Sequence, residues 1–73
     1  MDEFIKIIKK RMIDNGRDDF VNYLAEILNI SKQAASARLN GKARFTLQDI
    51  TSLNTVLHFN PDELDLLVKI KGA

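Results

Sequence analysis

The sequence predicts an all-α fold of five short helices, with residues 1–73 forming a single domain. Three observations predict this fold. Apolar residues recur at intervals of three and four, residues that cap helices precede these stretches, and Asn-Gly pairs end two of them. A chain of 73 residues without cysteine has room for one small core and carries no disulfide framework.

The first two helices follow from their caps and apolar stripes. The first runs from about Glu3 to Asp14, with Asp2 as its cap and Asn15-Gly16 as its end. Its apolar face consists of Phe4, Ile5, Ile8 and Met12, with Ile13 as an optional extension. The second helix begins near Asp18 or Asp19, whose carboxylates can accept hydrogen bonds from free backbone N–H groups. Its buried stripe consists of Phe20, Leu24, Ile27 and Leu28.

The third helix begins after the N-cap Ser31 and ends at Asn40-Gly41. The fourth is capped by Thr46, with Asp49 completing a short capping box, and ends near His58. Its apolar stripe consists of Leu47, Ile50, Leu53, Val56 and Leu57. The fifth helix has Asn60 as cap, Pro61 at its first position and Glu63 closing the box. Its apolar residues divide into one face with Leu64, Leu67 and Val68 and another with Leu66 and Ile70.

The corner between the second and third helices is the most informative part of the chain. Two helices joined by so short a turn can pack at a large angle only if one residue adopts the left-handed conformation, and Asn29 is the candidate. Ile30 then fills the angle between the helices. Around it we expect a small core of Leu24, Leu28, Ala35 and Leu39. The outward residues are Lys32, Gln33, Ser36, Ala37 and Asn40.

Charge is concentrated around the third helix. Residues 31–45 carry four basic residues and no acid, whereas residues 1–30 sum to −1 and residues 46–73 to −2. A basic block between such flanks is typical of a surface that meets phosphates, although a solvated basic loop has the same composition. The outward face suits the DNA major groove, because Gln pairs with adenine, Lys reaches guanine, Ser bonds either way and an Ala methyl touches thymine. An ordinary Ala-rich surface helix is the competing interpretation.

These residues resemble a known family. The signature Leu24-Ala25-x-x-Leu28-Asn29-Ile30-Ser31, followed by Leu39-Asn40-Gly41-Lys42 and then Phe45-Thr46, resembles Cro and CI repressor-type regulators of phages and prophages. It is similar to small regulators from phages of Gram-positive bacteria, over roughly residues 17–68. Asn29 stands where that family usually has Gly, and Ala35 where it usually has a branched aliphatic residue.

The resemblance implies a lambda-repressor-like, helix-turn-helix domain that binds double-stranded DNA and regulates transcription. In that family the third helix is the recognition helix, and the segment after Gly41 touches the phosphate backbone. The expected base contacts are Lys32, Gln33, Ser36 and Ala37. The expected phosphate contacts are Asn22, Arg38, Asn40, Lys42 and Arg44. A full CI-type repressor normally adds an oligomerisation domain, so the short length favours the Cro-like form.

Several of these residues have competing interpretations. Arg38 could instead pair with an acid of a neighbouring helix. Tyr23 is a further candidate for contact with the DNA phosphates, but it could equally be a packing residue. Lys6, Lys9 and Lys10 form a basic edge that could approach DNA or be merely solvated. A homodimer, at least on DNA, would use Leu66 and Ile70 as its contact.

The composition argues against other classes of protein. The adjacent carboxylates Asp18-Asp19 and Asp62-Glu63 lie at predicted helix starts, where capping explains them, and no Ser-His-Asp or phosphate-loop pattern is present. We therefore expect that the protein is not an enzyme and binds no small-molecule substrate or cofactor. One histidine without cysteine makes no zinc site. The short apolar runs predict neither a membrane span nor a signal peptide, and hence a cytoplasmic, nucleoid-associated protein. The alternative function is a small helical protein-binding module, such as an antirepressor or a polymerase-interacting adaptor.

Overall fold

Within residues 2–65 the fold consists of four α-helices and one further helical segment. They are α1 (Asp2–Asp14), α2 (Phe20–Leu28), α3 (Lys32–Leu39) and α4 (Leu47–Leu57), followed by the helical residues 61–65. The structure is a computed structural model that describes residues 2–65, and it has no strand in that range. The predicted all-α fold of five helices is confirmed. No helix within residues 2–65 combines the length and the apolar character that crossing a membrane requires.

Most predicted helix caps are present as hydrogen bonds. The Ser31 hydroxyl accepts from the Ala34 N–H at 3.1 Å. Thr46 and Asp49 form the reciprocal box, with bonds of 3.0 and 2.9 Å. Asn60 and Glu63 form a second reciprocal box ahead of residues 61–65, with bonds of 2.8 and 3.1 Å. Local sequence therefore sets where α3, α4 and the last segment begin.

Two cap predictions are wrong in detail. Asp2 lies within α1, so this helix begins one residue earlier than predicted. Asp19 is the N-cap of α2, but its side chain makes no capping hydrogen bond. The reason is that Arg17 holds both carboxylate oxygens of Asp19, with two bonds of 2.8 Å.

The core lies where α1, α2 and α4 meet beneath α3. Its buried residues are Phe4, Ile8, Met12, Leu24, Ala25, Ala35, Phe45, Ile50, Leu53, Leu57 and Phe59. Periodicity predicts most of them, but Phe45 and Phe59 belong to connecting segments and were not predicted to be buried. Phe45 packs on Phe4 with ring centroids 4.9 Å apart, so an aromatic pair anchors the α3–α4 connection to α1.

Three predicted core residues are instead exposed. Ile13, Leu47 and Val56 have exposed fractions of 57%, 58% and 37%. Ile13 follows Met12 by one residue, which on a helix is about 100° away from the buried line. Leu47 and Val56 each lie about 90° from the line of the buried residues Ile50, Leu53 and Leu57, on opposite sides of it. The predicted small core around the corner is looser than expected, because Leu28, Ile30 and Leu39 are only partly buried.

Part of the fifth helix predicted from the sequence, with the residues assigned to a dimer contact, falls outside this description. Leu64 is partly buried against the core. Leu66, Leu67, Val68 and Ile70 lie outside the described residues.

Candidate nucleic-acid interface

The turn between α2 and α3 has the predicted left-handed residue. Asn29 has φ 55° and ψ 50°, and its N–H donates to the Ala25 carbonyl. The Ile30 N–H donates to the same carbonyl at 3.1 Å. These bonds close the end of α2, and three residues connect it to the start of α3. Ala25 and Ala35 are both buried, and such small side chains allow α2 and α3 to pack closely.

This packing leaves the opposite side of α3 uncovered. Gln33, Ser36, Ala37 and Asn40 share one helix face by their spacing, and Lys32 precedes them. Lys32, Gln33 and Asn40 are exposed, whereas Ser36 and Ala37 are half-buried. We call this face, together with the two cations that follow it, the α3 surface. It consists of Lys32, Gln33, Ser36, Ala37, Asn40, Lys42 and Arg44.

A compact turn follows α3 and carries the two cations. Gly41 adopts the left-handed conformation, with φ 77°. Its N–H donates to the Arg38 carbonyl at 3.3 Å, and the Lys42 N–H donates to the Ala37 carbonyl at 2.8 Å. This pair of bonds is the Schellman motif, which closes the helix end with backbone contacts alone. Lys42 and Arg44 are exposed just beyond it, and neither forms an ion pair within residues 2–65.

A side-chain hydrogen bond organises the end of this face. The Asn40 Nδ2 donates to the Ser36 Oγ at 3.3 Å, one helical turn away. The Ser36 hydroxyl thereby uses one acceptor position and keeps its hydrogen for donation. One predicted base contact and one predicted phosphate contact are thus joined to each other.

Arg38 pairs with an acid of a neighbouring helix, which is the competing interpretation given for it above. Its Nε donates to the Asp49 Oδ2 at 3.1 Å, and the two side chains are only 19% and 14% exposed. The ion pair ties α3 to the first turn of α4. A phosphate contact by Arg38 stays a prediction, and any such contact has to coexist with this ion pair.

Near the beginning of α2, Arg17 contacts three other side chains. Arg17 lies over the Tyr23 ring at 4.2 Å from its centroid, and it also pairs with Asp19 and with Glu26 at 3.0 Å. The hydrogen bonds from Arg17 lower the pKa of the Asp19 carboxyl, and those to Asp19 and Glu26 raise the pKa of Arg17. The Asn15 Nδ2 donates to the Tyr23 hydroxyl at 3.2 Å, and the partly buried Tyr23 packs against the core.

Other predicted contacts lie on α1 and α2. Asn22 is exposed on α2, and no hydrogen bond joins it to α3 in the described part of the chain. On the basic edge of α1, Lys9 lies 5.4 Å from the Phe20 ring centroid, whereas Lys6 and Lys10 are exposed. The structure therefore places most of the predicted contacts on α3 and the turn after it, with Asn22 on α2 and the basic edge on α1.

One residue of this region was missed by sequence reasoning. Asp49 was predicted only as a capping residue, and its ion pair with Arg38 spans 11 residues. No local pattern predicts such a contact, because the pairing depends on how α3 and α4 pack.

The structure defines this chain as an all-α domain with a central helix-turn-helix unit. Comparison with protein families, with curated proteins and with solved structures gives no significant match. The functional argument therefore starts from the α3 surface.

Proposed function

We propose that this protein is a sequence-specific regulator that binds double-stranded DNA with α3 in the major groove. In the cell it would act in the cytoplasm, at the nucleoid, as a Cro-like repressor of a phage or prophage. One observation carries the proposal: the uncovered face of α3 presents polar and small side chains and leads directly into the exposed cations Lys42 and Arg44.

Base recognition would come from residues 32–37 of α3. Gln33 is exposed there and can make a bidentate contact with adenine. The small side chains of Ser36 and Ala37 would let the helix approach the base edges without steric clash. N-terminal residues of a recognition helix usually make the base contacts, and Lys32 and Gln33 are the first two residues of α3.

Backbone binding would come from the cations around that face. Lys42 and Arg44 are exposed beside the closed end of α3, where phosphates flank a helix in the groove. Such contacts release counterions from DNA, so affinity falls steeply as salt rises. Steep salt dependence is therefore a direct consequence of this proposal.

A second candidate function is binding to another protein through the same region. The observation that favours it is Leu47, which is 58% exposed in the first turn of α4, close in sequence to Arg44. An apolar interface around Leu47 would be nearly insensitive to salt, and Leu47→Ser would weaken it. DNA binding through phosphates would show the opposite pattern.

Symmetric DNA binding would require two copies of the chain. Two recognition helices reading an inverted repeat are about 34 Å apart, one turn of the duplex. The contact that we propose for such a dimer uses Leu66 and Ile70. Replacing both with Ser should abolish cooperative binding to paired half-sites and leave binding to one half-site unchanged.

The experiment that tests the proposal is selection of bound duplexes from a random-sequence DNA pool at near-physiological salt. The proposal predicts an enriched motif, as an inverted repeat for a dimer or as a single half-site for a monomer. The variant Gln33→Ala should change one position of that motif. Gln48→Ala removes the same side chain from an exposed position outside the α3 surface, and it should leave the motif unchanged. A pool without enrichment would contradict the proposal and favour the protein-binding function.

A further inference from the structure

The carboxylate of Asp49 serves two helices through one oxygen. Its Oδ2 accepts the Thr46 N–H at 2.9 Å, which closes the capping box of α4. The same oxygen accepts the Arg38 Nε at 3.1 Å. With 14% of its side chain exposed, Asp49 is largely withdrawn from solvent, so its position is set by protein contacts. Through Asp49, the Arg38 side chain is therefore held in a fixed position relative to the backbone at the start of α4.

Only one edge of the Arg38 guanidinium is occupied by this pairing. The Nη1 group lies 3.5 Å from the Ala34 carbonyl, which is the outer limit for a hydrogen bond. No hydrogen bond from Nη2 is present within residues 2–65. Because a guanidinium has five donors in a rigid fork, an arginine held at Nε can still bind a second anion with its terminal nitrogens.

We propose that Asp49 is a positioning residue that orients Arg38 for contact with a DNA phosphate. This inference rests on the proposed function. It assigns a favourable role in DNA binding to Asp49, although Asp49 and DNA are both negatively charged. Arg38 lies in the last turn of α3, and Lys42 and Arg44 follow it. An unrestrained arginine samples many rotamers, and ordering it on DNA costs conformational entropy. The ion pair with Asp49 already orders the Arg38 side chain in the free protein, so less conformational entropy is lost on DNA binding.

The effect of removing the Asp49 charge distinguishes positioning from simple electrostatics. If the carboxylate acts only as a negative charge near DNA, its neutralisation reduces repulsion and strengthens binding. If it positions Arg38, the same change weakens binding, because the guanidinium loses its fixed orientation. The two mechanisms therefore predict opposite signs for one substitution.

The test measures the dissociation constant of the full chain for its selected duplex, by fluorescence anisotropy over a range of salt concentrations. We expect Asp49→Asn to bind about tenfold more weakly at low salt, in line with the loss of one charge-assisted hydrogen bond. The slope of log affinity against log salt should fall in magnitude by about 0.9, the value for one phosphate contact. Equal or tighter binding by Asp49→Asn would overturn the inference.

Two variants separate positioning from a general loss of structure. Thr46→Ala removes the hydroxyl that caps α4 but leaves the Arg38–Asp49 ion pair, so it should lower stability without changing the salt slope. Asp49→Glu keeps a carboxylate at the third helical position of the box and should restore wild-type binding. A flatter salt slope for Thr46→Ala, equal to that of Asp49→Asn, would overturn the inference.

A further variant keeps the test decisive if Asp49→Asn fails to fold. Arg38→Lys preserves the charge and the α4 cap, but a single ammonium held by Asp49 has no fork to offer a phosphate. It should therefore flatten the salt slope as Asp49→Asn does, and a wild-type slope would overturn the inference.

If the unsubstituted chain binds no duplex, the proposed function itself fails. If it binds DNA but Asp49→Asn does not weaken binding, only the positioning role fails.

Discussion

Arg11 of α1 and Glu63 of the segment 61–65 form an ion pair between residues 52 positions apart in the chain. The Arg11 Nε donates to the Glu63 Oε1 at 2.9 Å, and the same oxygen accepts the Asn60 N–H at 3.1 Å. A single carboxylate therefore both starts the last helical segment and attaches it to α1. This arrangement parallels Asp49, which caps α4 while holding Arg38.

The first prediction concerns the contribution of Glu63 to stability. Burial raises the pKa of this carboxyl, but hydrogen bonds from Arg11 and Asn60 and the charges of Arg11 and Lys10 outweigh it, so the net pKa is lowered. A lowered carboxyl pKa stabilises the fold above the unfolded-state value of about 4.3. That stabilisation is lost as the pH falls through the folded-state pKa.

Glu63→Gln should therefore lower the free energy of unfolding by about 1–2 kcal/mol at neutral pH. The difference from the wild type should shrink below about pH 4, as the wild-type carboxyl becomes protonated. Urea denaturation at several pH values measures both effects. Asp18→Asn removes the same charge at an exposed residue with no ion pair in the described part of the chain, and it should have a much smaller effect. A pH-independent loss for Glu63→Gln would contradict this explanation.

The second prediction concerns the left-handed turn residue. Asn29→Ala should destabilise the protein by about 1–2 kcal/mol, because a Cβ without a compensating polar group is disfavoured at positive φ. Asn29→Gly should be tolerated, with a change within about 1 kcal/mol, since Gly adopts this conformation freely. Asn22→Ala, inside α2, is the matched control and should be neutral or slightly stabilising. Thermal unfolding of the three variants measures these differences, and equal stability of Asn29→Ala and Asn29→Gly would contradict the prediction.

The third prediction concerns Ala35, which is fully buried at the α2–α3 contact. The family that the sequence resembles usually has a branched aliphatic residue here. In this chain the helices are packed around a methyl group, so Ala35→Val should cost about 1–3 kcal/mol through overpacking. Ala34→Val, at a half-buried position of the same helix, controls for helix propensity and should cost less, about 0.5 kcal/mol. A stabilising effect of Ala35→Val in urea denaturation would reveal unfilled space at this contact.

The fourth prediction separates base contacts from phosphate contacts on the α3 surface. Gln33→Ala should reduce discrimination at one base pair by about 1–3 kcal/mol and leave the salt slope unchanged. Lys42→Ala should weaken binding to all sequences equally and reduce the salt slope by about 1. Competition binding with single-base variants of the selected duplex measures the first effect, and a salt titration measures the second. Matching behaviour of the two variants would show that Gln33 does not contact a base.

Much of the fold follows from short-range patterns. The caps at Ser31, Thr46 and Asn60 were predicted because each capping bond joins residues three positions apart. The left-handed Asn29 was predicted because few residue types tolerate that conformation. The solvent exposure of Gln33 follows from its place on the face opposite Ala35.

The remaining features could not be predicted in this way. Leu47 and Val56 belong to the predicted apolar stripe of α4 and are nevertheless exposed, because periodicity identifies an apolar stripe but not how far neighbouring helices cover its edges. Phe45 and Phe59 are buried from connecting segments that carry no periodicity. For Asp19, the sequence indicated a cap, but competition from the nearby Arg17 decided which bond its carboxylate makes.

By itself the sequence determined the all-α class, the starts of α3, α4 and the segment 61–65, and the turn that places α3, since these depend on interactions within one helical turn. Only the tertiary structure decided that Arg38 is held by Asp49 and Arg11 by Glu63, across separations of 11 and 52 residues. The physical reason is that such contacts form only after apolar packing has brought separate helices together. Their strength then depends on the partial burial that the same packing creates.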